Sequence, residues 1–324
     1  MCTAISFKTK DHYFGRNLDL EHFYKETVTV TPRNYPFYFR KAPSLMNHFA
    51  MIGMASVIEG YPLYYEATNE HGLSMAGLNF PGNAVYLPDK EGVCNIAPFE
   101  LIPWILSQCK TVQQARALLH NINLVNINFN EELPLSPLHW MLCDKNVSIV
   151  IEPRESGIKI YDNAVDVLTN NPPFDFHMYH LSNYLNLTHE EPVNRFTNKI
   201  DLTPYSRGMG AIGLPGDLSS ASRFIKAAFT KLNSVSDDSE CSSISQFFHI
   251  LGAVAQQRGC VKVNGDYERT IYTSCCNTNK GIYYYTTYEN SQITAVNMFS
   301  EDLDGDKLSL FPLVLQQQIR KENY

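Results

Sequence analysis

The first twenty residues constrain the fold most strongly, because they have the pattern of a β-hairpin that begins at the second residue of the chain. Residues 2–7 form a predicted strand, a short turn follows, and residues 13–20 return as a second strand. A terminus paired in this way is tied into a sheet and is therefore ordered. The returning strand carries Arg16 and Asp19 back past Cys2.

Cys2 is a candidate nucleophile. Removal of Met1, which is usual before a small residue, leaves Cys2 with both a thiol and a free α-amine. The reference pKa values are about 8.5 for the thiol and about 8 for the amine, so the two groups can exchange a proton near neutral pH. Judged by its position alone, Cys2 would be interpreted as an incidental small residue at a frayed terminus. The predicted hairpin argues against that interpretation, because it places the cation of Arg16 and the carboxylate of Asp19 beside an ordered terminus.

The composition indicates a single globular domain. The chain has 324 residues, 44% of them hydrophobic, which is enough to bury a large core. Because no Ser/Gly/Pro-rich linker, charge block or internal repeat divides it, we predict one domain over residues 1–324. The net charge is −7, and no cluster of Lys and Arg alternates with aromatic residues. We therefore expect neither nucleic acid nor an anionic membrane surface as a partner.

The sequence contains no clear targeting, metal or cofactor signal. No apolar run approaches the roughly 18 residues of a membrane span, and the N-terminus lacks the features of a signal peptide, so we expect a cytoplasmic protein. The eight cysteines include no CxxC pair, and reduced thiols are expected in that compartment. The Gly-rich residues 208–213 lack the Lys-Ser/Thr of a P-loop, and the acidic residues 302–306 lack the Gly and Glu positions of a calcium loop. We predict no cofactor and no metal.

The remaining pattern favours the α+β class with antiparallel sheets, since strands occur in runs and helices in pairs rather than as alternating βα units. One strand is predicted within residues 69–82, and the others at residues 27–31, 49–58, 138–143, 148–152, 158–161, 165–169, 270–275, 282–288 and 292–299. Helices are predicted between residues 99 and 121, with a capping box at Thr111, over residues 222–232 after Ser219 or Ser220, and from a capping box at residues 243–246 to Gly259.

Several polar residues are site candidates, each with an ordinary structural alternative. Asn79 and Asn170 both stand at strand ends, where Asn is usually a turn residue, but the Asn79 amide could also donate to the oxyanion that develops in acyl transfer. Arg223 lies in the first turn of a predicted helix, where the helix dipole disfavours a cation, and this suggests a carboxylate or substrate partner. His139 and Cys143 could form a dyad, but a hydrogen-bonded core histidine and a buried thiol are the better interpretation.

Five motifs together resemble the choloylglycine hydrolase family, which includes the bile salt hydrolases of gut bacteria. They are MCTAIS, FGRNLD, AGLNFPG, LTNNP and GLPGDLSSASRF, and they cover essentially the whole chain in order. The resemblance implies a four-layer αββα sandwich of the N-terminal nucleophile hydrolase type, commonly assembled as a homotetramer. It also implies hydrolysis of glycine- or taurine-conjugated bile salts. Penicillin V acylase activity on the same scaffold is the alternative, and a non-catalytic bile-acid-binding protein is the alternative from another class.

The resemblance also implies a mechanism. The Cys2 thiolate attacks the amide carbonyl and forms a thioester, while Asn79, with Asn170 or backbone N–H groups, stabilises the oxyanion. The α-amine passes its proton to the leaving amine, and water then releases the acyl group.

The resemblance further implies which charged and apolar residues support this chemistry. Arg16 lowers the pKa of the thiol, Asp19 positions the α-amine, and Arg223 supports the site electrostatically. A bile salt presents a sterol, so its pocket must be largely apolar. The loops that align with the family imply that this pocket is lined by Leu18, Leu20, Ile58, Tyr65, Phe129 and Leu133.

Overall fold

The computed structural model describes residues 1–323, in which two large antiparallel sheets are the main elements. The strands of this part of the chain are β1 (Cys2–Lys8), β2 (His12–Leu20), β3 (Thr27–Thr31), β4 (Met51–Ile58), β5 (Tyr61–Asn69), β6 (Ser74–Asn79), β7 (Cys94–Ile96), β8 (Ile122–Leu124), β9 (Leu138–Cys143), β10 (Ser148–Arg154), β11 (Gly157–Asp162), β12 (Val167–Leu168), β13 (Val261–Val263), β14 (Asp266–Asn277), β15 (Ile282–Thr287), β16 (Thr294–Asn297) and β17 (Ser309–Pro312). The α-helices are α1 (Leu101–Leu106), α2 (Val112–Leu119), α3 (Phe174–His180), α4 (Ser220–Asn233) and α5 (Glu240–Gly252).

The first sheet contains the predicted N-terminal hairpin. Its strand order is β12-β1-β2-β14-β15-β16, with β13 paired to β14. β1 pairs with β2 along its whole length, with Cys2 opposite Leu18. β2 and β14 approach so closely at Gly15 that a Cβ there would lie 2.0 Å from the Ser274 carbonyl oxygen. Both strands of the hairpin are therefore interior strands, and the terminus is ordered because its backbone groups are paired on both sides.

The second sheet faces the first one. Its strand order is β11-β10-β9-β6-β5-β4-β3-β17, and β7 and β8 form a separate parallel pair. β6 contacts β1 and β2 across the interior. α4 and α5 pack on the first sheet, against β1, and α1 packs on the second sheet, against β5 and β6. The predicted α+β class and the four-layer αββα order are confirmed.

The buried apolar side chains form two clusters that correspond to these layers. One core cluster lies between the sheets and under α4 and α5, and a second lies between the second sheet and the helices α1 and α2. On β10, Val150 belongs to the first cluster, whereas Ile149 and Ile151 belong to the second, as expected from the alternation of side chains along a strand. Within residues 1–323, no helix is long and apolar enough to cross a membrane.

Most predicted strands are present, and some limits differ. Residues 27–31 and 138–143 are strands with the predicted limits, as β3 and β9. The strand predicted at residues 165–169 is reduced to β12, because Asp166 has a φ of 52° and interrupts the extended chain. Helix α3, which starts directly after Pro173, was not predicted.

The start and end of α5 were both predicted wrongly. The helix begins at Glu240, with Ser239 as its N-cap, so the capping box predicted at residues 243–246 is wrong, and Ser243 is buried inside the helix. It ends at Gly252 rather than near Gly259, because the backbone of Gln256 hydrogen-bonds instead to Thr270 of β14. The N-cap at Ser219 of α4 is confirmed.

Candidate active site

Cys2 lies at the start of β1 in the inter-sheet core, with 3% of its surface exposed. Its backbone N–H donates to Asn170 Oδ1 at 2.7 Å. The ammonium of Met1 donates to the carbonyl oxygen of Asp19 at 2.8 Å and to Glu268 Oε1 at 2.5 Å. The hairpin thus brings Asp19 to the start of β1, and Asn170 reaches the same point from the end of β12.

Arg16 projects from β2 toward the second sheet and is fully buried. Its Nη1 donates to the carbonyl oxygens of Gly77 at 2.5 Å and Tyr65 at 3.1 Å. Among the described residues, Nη2 has no hydrogen-bond acceptor. Burial disfavours the charge, but Cys2 and neighbouring acidic groups outweigh it and raise the pKa of Arg16 above its usual value. Arg16 is therefore a buried, permanently charged group that interacts electrostatically with the Cys2 sulfur.

Glu66 on β5 faces Arg16 and is 1% exposed. Its Oε2 lies 3.9 Å from Arg16 Nε. The hydroxyl of Tyr272 donates to Oε2 at 2.7 Å, and the hydroxyl of Tyr283 donates to Oε1. Burial raises the pKa of Glu66, and Arg16 with the two hydroxyls opposes that rise. Sequence analysis missed this residue, although a glutamate inside an apolar strand is a signal that could have identified it.

Asp19 is fully buried near the end of β2. The Thr270 hydroxyl donates to Oδ1 at 2.6 Å, whereas Oδ2 has no hydrogen-bond donor among residues 1–323. Burial raises the pKa of Asp19, and the cation of Arg223, 3.9 Å from Oδ2, opposes this shift. A buried oxygen without a donor costs about 1–3 kcal/mol. Oδ2 is therefore an acceptor that remains available inside the site.

Arg223, in the first turn of α4, connects these groups and is 1% exposed. Its Nη1 donates to the carbonyl oxygen of Cys2 and to Thr3 Oγ1, both at 2.6 Å, and its Nη2 donates to Asn170 Oδ1 at 2.8 Å. Burial lowers the pKa of Arg223, and Asp19 and Cys2 oppose this shift. These partners offset the unfavourable position of the cation at a helix N-terminus.

The two predicted strand-end asparagines lie together. Asn170 Nδ2 donates to the carbonyl oxygen of Asn79 at 2.7 Å, and the Asn170 N–H donates to Ser220 Oγ at 2.8 Å. Asn79 is the last residue of β6 and is exposed. Next to it, Asn171 Nδ2 donates to the carbonyl oxygen of Pro81 at 2.6 Å. The Asn170 amide thus links the end of β6 to Cys2.

Two buried histidines support the segment that carries Asn170. His139 Nε2 hydrogen-bonds to the carbonyl oxygen of Thr169 at 2.8 Å, and His177 Nε2 does so to the carbonyl oxygen of Asn170 at 2.9 Å. Burial lowers the pKa of His177 to about 4, so its imidazole is neutral near pH 7. The interpretation of His139 as a hydrogen-bonded core residue is confirmed. Sequence analysis missed His177, because a lone histidine in a short aromatic helix has no distinguishing spacing.

The other cysteines do not form a second reactive site. Cys143 is fully buried, and burial raises the pKa of its thiol well above the usual value, so it is not a second thiolate. All eight cysteines are free. In the part of the chain that the structure describes, no cluster of three or more His, Cys, Asp or Glu side chains could hold a metal ion.

Three predicted pocket residues border the inter-sheet core at the Cys2 end of the hairpin. Leu18 is a member of this cluster, and Leu20 and Tyr65 pack against it. The Tyr65 hydroxyl is within 3.0 Å of Ser56 Oγ, and the Tyr65 carbonyl oxygen accepts from Arg16. These side chains therefore lie next to the candidate catalytic residues.

The other three predicted pocket residues are Ile58, at the end of β4, and Phe129 and Leu133, on the segment between β8 and β9. Phe129 is 9% exposed and packs against the rings of Tyr61 and Phe99, with ring centroids 5.9 and 5.3 Å apart. Ile58 pairs with Tyr61 in the β4–β5 hairpin, and Leu133 is partly buried.

Two relatives are similar to the chain over nearly their whole length. The "bile salt hydrolase/transferase" of Lactiplantibacillus plantarum is 56% identical over 319 residues, covering 98% of each chain. The protein of the same name from Clostridium perfringens is 38% identical over 317 residues, covering 96% of each chain.

Solved structures and a family model agree with these relatives. A conjugated bile acid hydrolase from Clostridium perfringens superposes with a TM-score of 0.92 at 37% identity, covering 100% of both chains. A penicillin V acylase from Agrobacterium tumefaciens superposes with a TM-score of 0.74, covering 96% of this chain and 90% of that one, but at 16% identity this is a similarity of fold. Residues 2–311 match the model of the linear amide C–N hydrolases, choloylglycine hydrolase family. The chain therefore belongs to the choloylglycine hydrolase family of linear amide C–N hydrolases.

Proposed function

We propose that the protein hydrolyses the amide bond of glycine- and taurine-conjugated bile salts through a thioester formed on Cys2. The observation that supports this most strongly is the meeting of Cys2, Asp19, Asn170 and Arg223 at the start of β1. Its relatives support the substrate class, since a bile salt hydrolase/transferase is 56% identical to it over 98% of both chains. The penicillin V acylase alternative has weaker support, because that likeness is limited to the fold.

The α-amine of Cys2 acts as the base once Met1 has been removed. Asn170 Oδ1 already accepts from the Cys2 nitrogen, and Asp19 Oδ2 is an available acceptor for the protonated amine. These two oxygens would keep the amine oriented while it takes the proton of the thiol. The positive charge of Arg16 stabilises the resulting thiolate.

Attack of the thiolate forms a C–S bond to the amide carbonyl carbon and develops an oxyanion. We assign the side-chain amide of Asn79 as an oxyanion donor, because Asn79 is exposed at the end of β6, whereas the Asn170 amide is occupied by the Asn79 carbonyl. Asn170 then holds the Cys2 amine and the end of β6 in place. The protonated amine of Cys2 passes its proton to the leaving nitrogen, and the C–N bond breaks. Water then attacks the thioester carbonyl carbon and gives a proton to the Cys2 amine. The C–S bond breaks, which releases the bile acid, and the amine returns the proton to the sulfur.

The sterol part of the substrate requires an apolar pocket. Burial of apolar surface contributes roughly 25 cal/mol per Å², so a sterol face can supply most of the binding free energy. We propose that the pocket is formed by Leu18, Leu20, Ile58, Tyr65, Phe129 and Leu133. Recognition then resides chiefly in the sterol, and both glycine and taurine conjugates are accepted.

Release of the amino acid tests the proposal directly. Purified protein is incubated with a glycine-conjugated bile salt, with a taurine-conjugated bile salt and with penicillin V, and the free glycine, taurine and phenoxyacetate are measured. We expect rapid release of glycine and taurine and slow cleavage of penicillin V. A bile-acid-binding protein would release no amino acid, and faster cleavage of penicillin V than of any bile salt would favour the acylase.

We also propose a homotetramer in the cytoplasm. Residues 185–208 have no regular secondary structure and expose large apolar side chains, including Leu185 (87% exposed), Phe196 (83%) and Tyr205 (85%), which supports burial against another copy. The free cysteines support a reducing compartment, and cell fractionation tests this location.

Light scattering of wild type and of Phe196→Asp tests the assembly, and we expect the variant to form fewer tetramers. A monomeric wild type would contradict the assembly.

A further inference from the structure

One buried anion faces Arg16 and has no part in the hydrolysis described above. Glu66 lies on the second sheet, and its Oε2 is 3.9 Å from Arg16 Nε, which is beyond hydrogen-bond distance. The short contacts of the Arg16 Nη1 go instead to the carbonyl oxygens of Gly77 and Tyr65. The hydrogen bonds of the Arg16 Nη1 therefore go to neutral acceptors, while the Glu66 carboxylate forms a longer ion pair with the guanidinium.

Two tyrosines of the first sheet hold the Glu66 carboxylate. Tyr272 on β14 donates to Oε2 at 2.7 Å, and Tyr283 on β15 donates to Oε1. Burial raises the pKa of both phenols well above the usual value, so both remain neutral donors. Hydrogen bonds to a carboxylate stabilise its charge and reduce its need for a cation. The two tyrosines, together with Arg16, therefore favour the ionised form of Glu66, which burial disfavours.

We propose that Glu66, Tyr272 and Tyr283 are positioning residues that set how much of the Arg16 charge acts on the Cys2 sulfur. An ion pair at hydrogen-bond distance would offset more of that charge, whereas a buried arginine with no countercharge would be strongly destabilising. The ion pair at 3.9 Å lies between these limits. In the hairpin Arg16 is opposite Ala4 and Leu18 is opposite Cys2, so the side chains of Arg16 and Cys2 are on the same face of the sheet. Arg16 Nη2 has no acceptor among the described residues. The inference rests on the proposed role of Cys2 as the nucleophile.

Other charged or titratable groups also face this unit from the surrounding elements. Glu26, from the loop before β3, faces Glu66, and burial raises the pKa of Glu26 to about 7. The further groups that face Arg16, Glu66 or Cys2 are Asp19, Tyr65, Arg223 and Cys276. None of them is changed in the variants below, so differences between the variants report on Glu66 and its two donors.

Glu66→Gln removes the countercharge and keeps the size of the side chain. Arg16 then stabilises the Cys2 thiolate unopposed, so we expect iodoacetamide to modify Cys2 several times faster at pH 7 than in wild type. The rate of modification is followed by mass spectrometry of the N-terminal peptide. This readout does not depend on any substrate, so it remains valid if the protein does not hydrolyse bile salts. If the protein does hydrolyse them but Cys2 is not the nucleophile, modification of Cys2 leaves the hydrolysis intact, which is a separate observation.

Tyr283→Phe and Tyr272→Phe should change the reactivity of Cys2 in the same direction, but less. Each removes one donor that stabilises the charged form of Glu66, so a larger fraction of Glu66 is neutral and less countercharge faces Arg16. Tyr285→Phe is the matched control: Tyr285 is on the same strand as Tyr283 and is 2% exposed, but its hydroxyl accepts from the Val314 N–H. We expect the control to keep the wild-type rate of modification.

The direction of the change in Cys2 reactivity decides the proposal. Faster modification of Cys2 in Glu66→Gln and, to a smaller extent, in the two tyrosine variants supports it. Slower modification, or lower melting temperatures with a wild-type rate of modification, would show that the unit has only a packing role. If Glu66→Gln does not fold, the two tyrosine variants still decide the question, because a wild-type rate in both would overturn the proposal.

Discussion

Cys2 has only a backbone amide nitrogen as long as Met1 precedes it, so it then has no basic α-amine. In the structure the charged amine is that of Met1, which is held by the Asp19 carbonyl oxygen and Glu268 Oε1. We therefore predict that active enzyme begins at Cys2. Intact mass spectrometry should give the mass of the chain without its first methionine. Full activity in a preparation that mainly retains Met1 would contradict the mechanism.

Replacement of the nucleophile gives a second prediction at the scale of single residues. Cys2→Ser should fold normally, because a hydroxyl fits the space of the buried thiol, but it should lose nearly all activity. A serine hydroxyl is far less acidic than a thiol and is not appreciably ionised by an α-amine near pH 7. Steady-state hydrolysis and a thermal unfolding curve are the two measurements. Wild-type rates from this variant would identify another residue as the nucleophile.

Sequence reasoning located residues whose partners are close along a hairpin or that belong to a known motif. Arg16 and Asp19 follow from strand pairing, since β2 returns past Cys2. Glu66 could not be placed in the same way, because its partners Tyr272 and Tyr283 are 206 and 217 residues away and meet it only when the two sheets pack. Side-chain contacts across a core carry no local sequence pattern.

The elements that hold the site contain two buried neutral histidines. Burial lowers the pKa of both His12, on β2, and His177, on α3, to about 4 from an ordinary value of 6.5. As the pH falls below about 6.5, these histidines gain protons in the unfolded chain before they do so in the folded one, so stability decreases. The loss continues until about pH 4, where the folded state also binds the protons, and each residue can contribute up to about 3 kcal/mol.

His177→Gln tests this contribution. Glutamine can still donate to the Asn170 carbonyl, but it does not titrate, so its free energy of unfolding should fall less steeply between pH 7 and pH 4 than that of wild type. Urea unfolding at several pH values measures the slope. At neutral pH the variant should be less stable, because the ring of His177 stacks on Phe224. The same pH slope in both proteins would show that His177 is not responsible.

Sequence patterns predicted the limits of strands well but predicted the ends of helices poorly. β3, which alternates, and β9, which is a short apolar run between Pro137 and Asp144, match their predicted limits. For α5, two serine-rich capping patterns lie only four residues apart, and the structure uses the one at Ser239. Its early end depends on the pairing of Gln256 with Thr270, a contact between distant segments. Tertiary contacts therefore determine the ends of this helix, which local helix propensity does not determine.

At the scale of the whole molecule, the two sheets bring together site residues from distant parts of the chain. Cys2 and Arg16 come from the first sheet, Asn79 comes from the second, and Arg223 comes from a helix outside the first sheet. Sequence patterns predicted the α+β class, and the family resemblance added the four layers, but how the sheets face each other depends on long-range packing. The prediction of one domain over residues 1–324 stays a prediction.

Substrate choice is a property of the whole pocket, and Phe129 is its most informative position. A conjugated bile salt buries a rigid sterol, whereas the phenoxyacetyl group of penicillin V is much smaller. In the proposed pocket, Phe129→Ala removes apolar surface that would contact the sterol but not the smaller phenoxyacetyl group. We therefore expect it to reduce kcat/KM for bile salts much more than for penicillin V. At roughly 25 cal/mol per Å², loss of a few tens of Å² of contact corresponds to about a tenfold effect on bile salts.

The variant Phe99→Ala separates recognition from packing. Phe99 contacts the ring of Phe129, with centroids 5.3 Å apart, and its loss disturbs the same aromatic cluster without removing the predicted sterol contact. We expect both variants to lower the melting temperature, but only Phe129→Ala should change the ratio of bile salt to penicillin V hydrolysis. If the two variants reduce both activities equally, Phe129 supports the loop and does not bind the sterol. The apolar selection must then come from Leu18, Leu20 and Tyr65, which pack against the core beside Cys2.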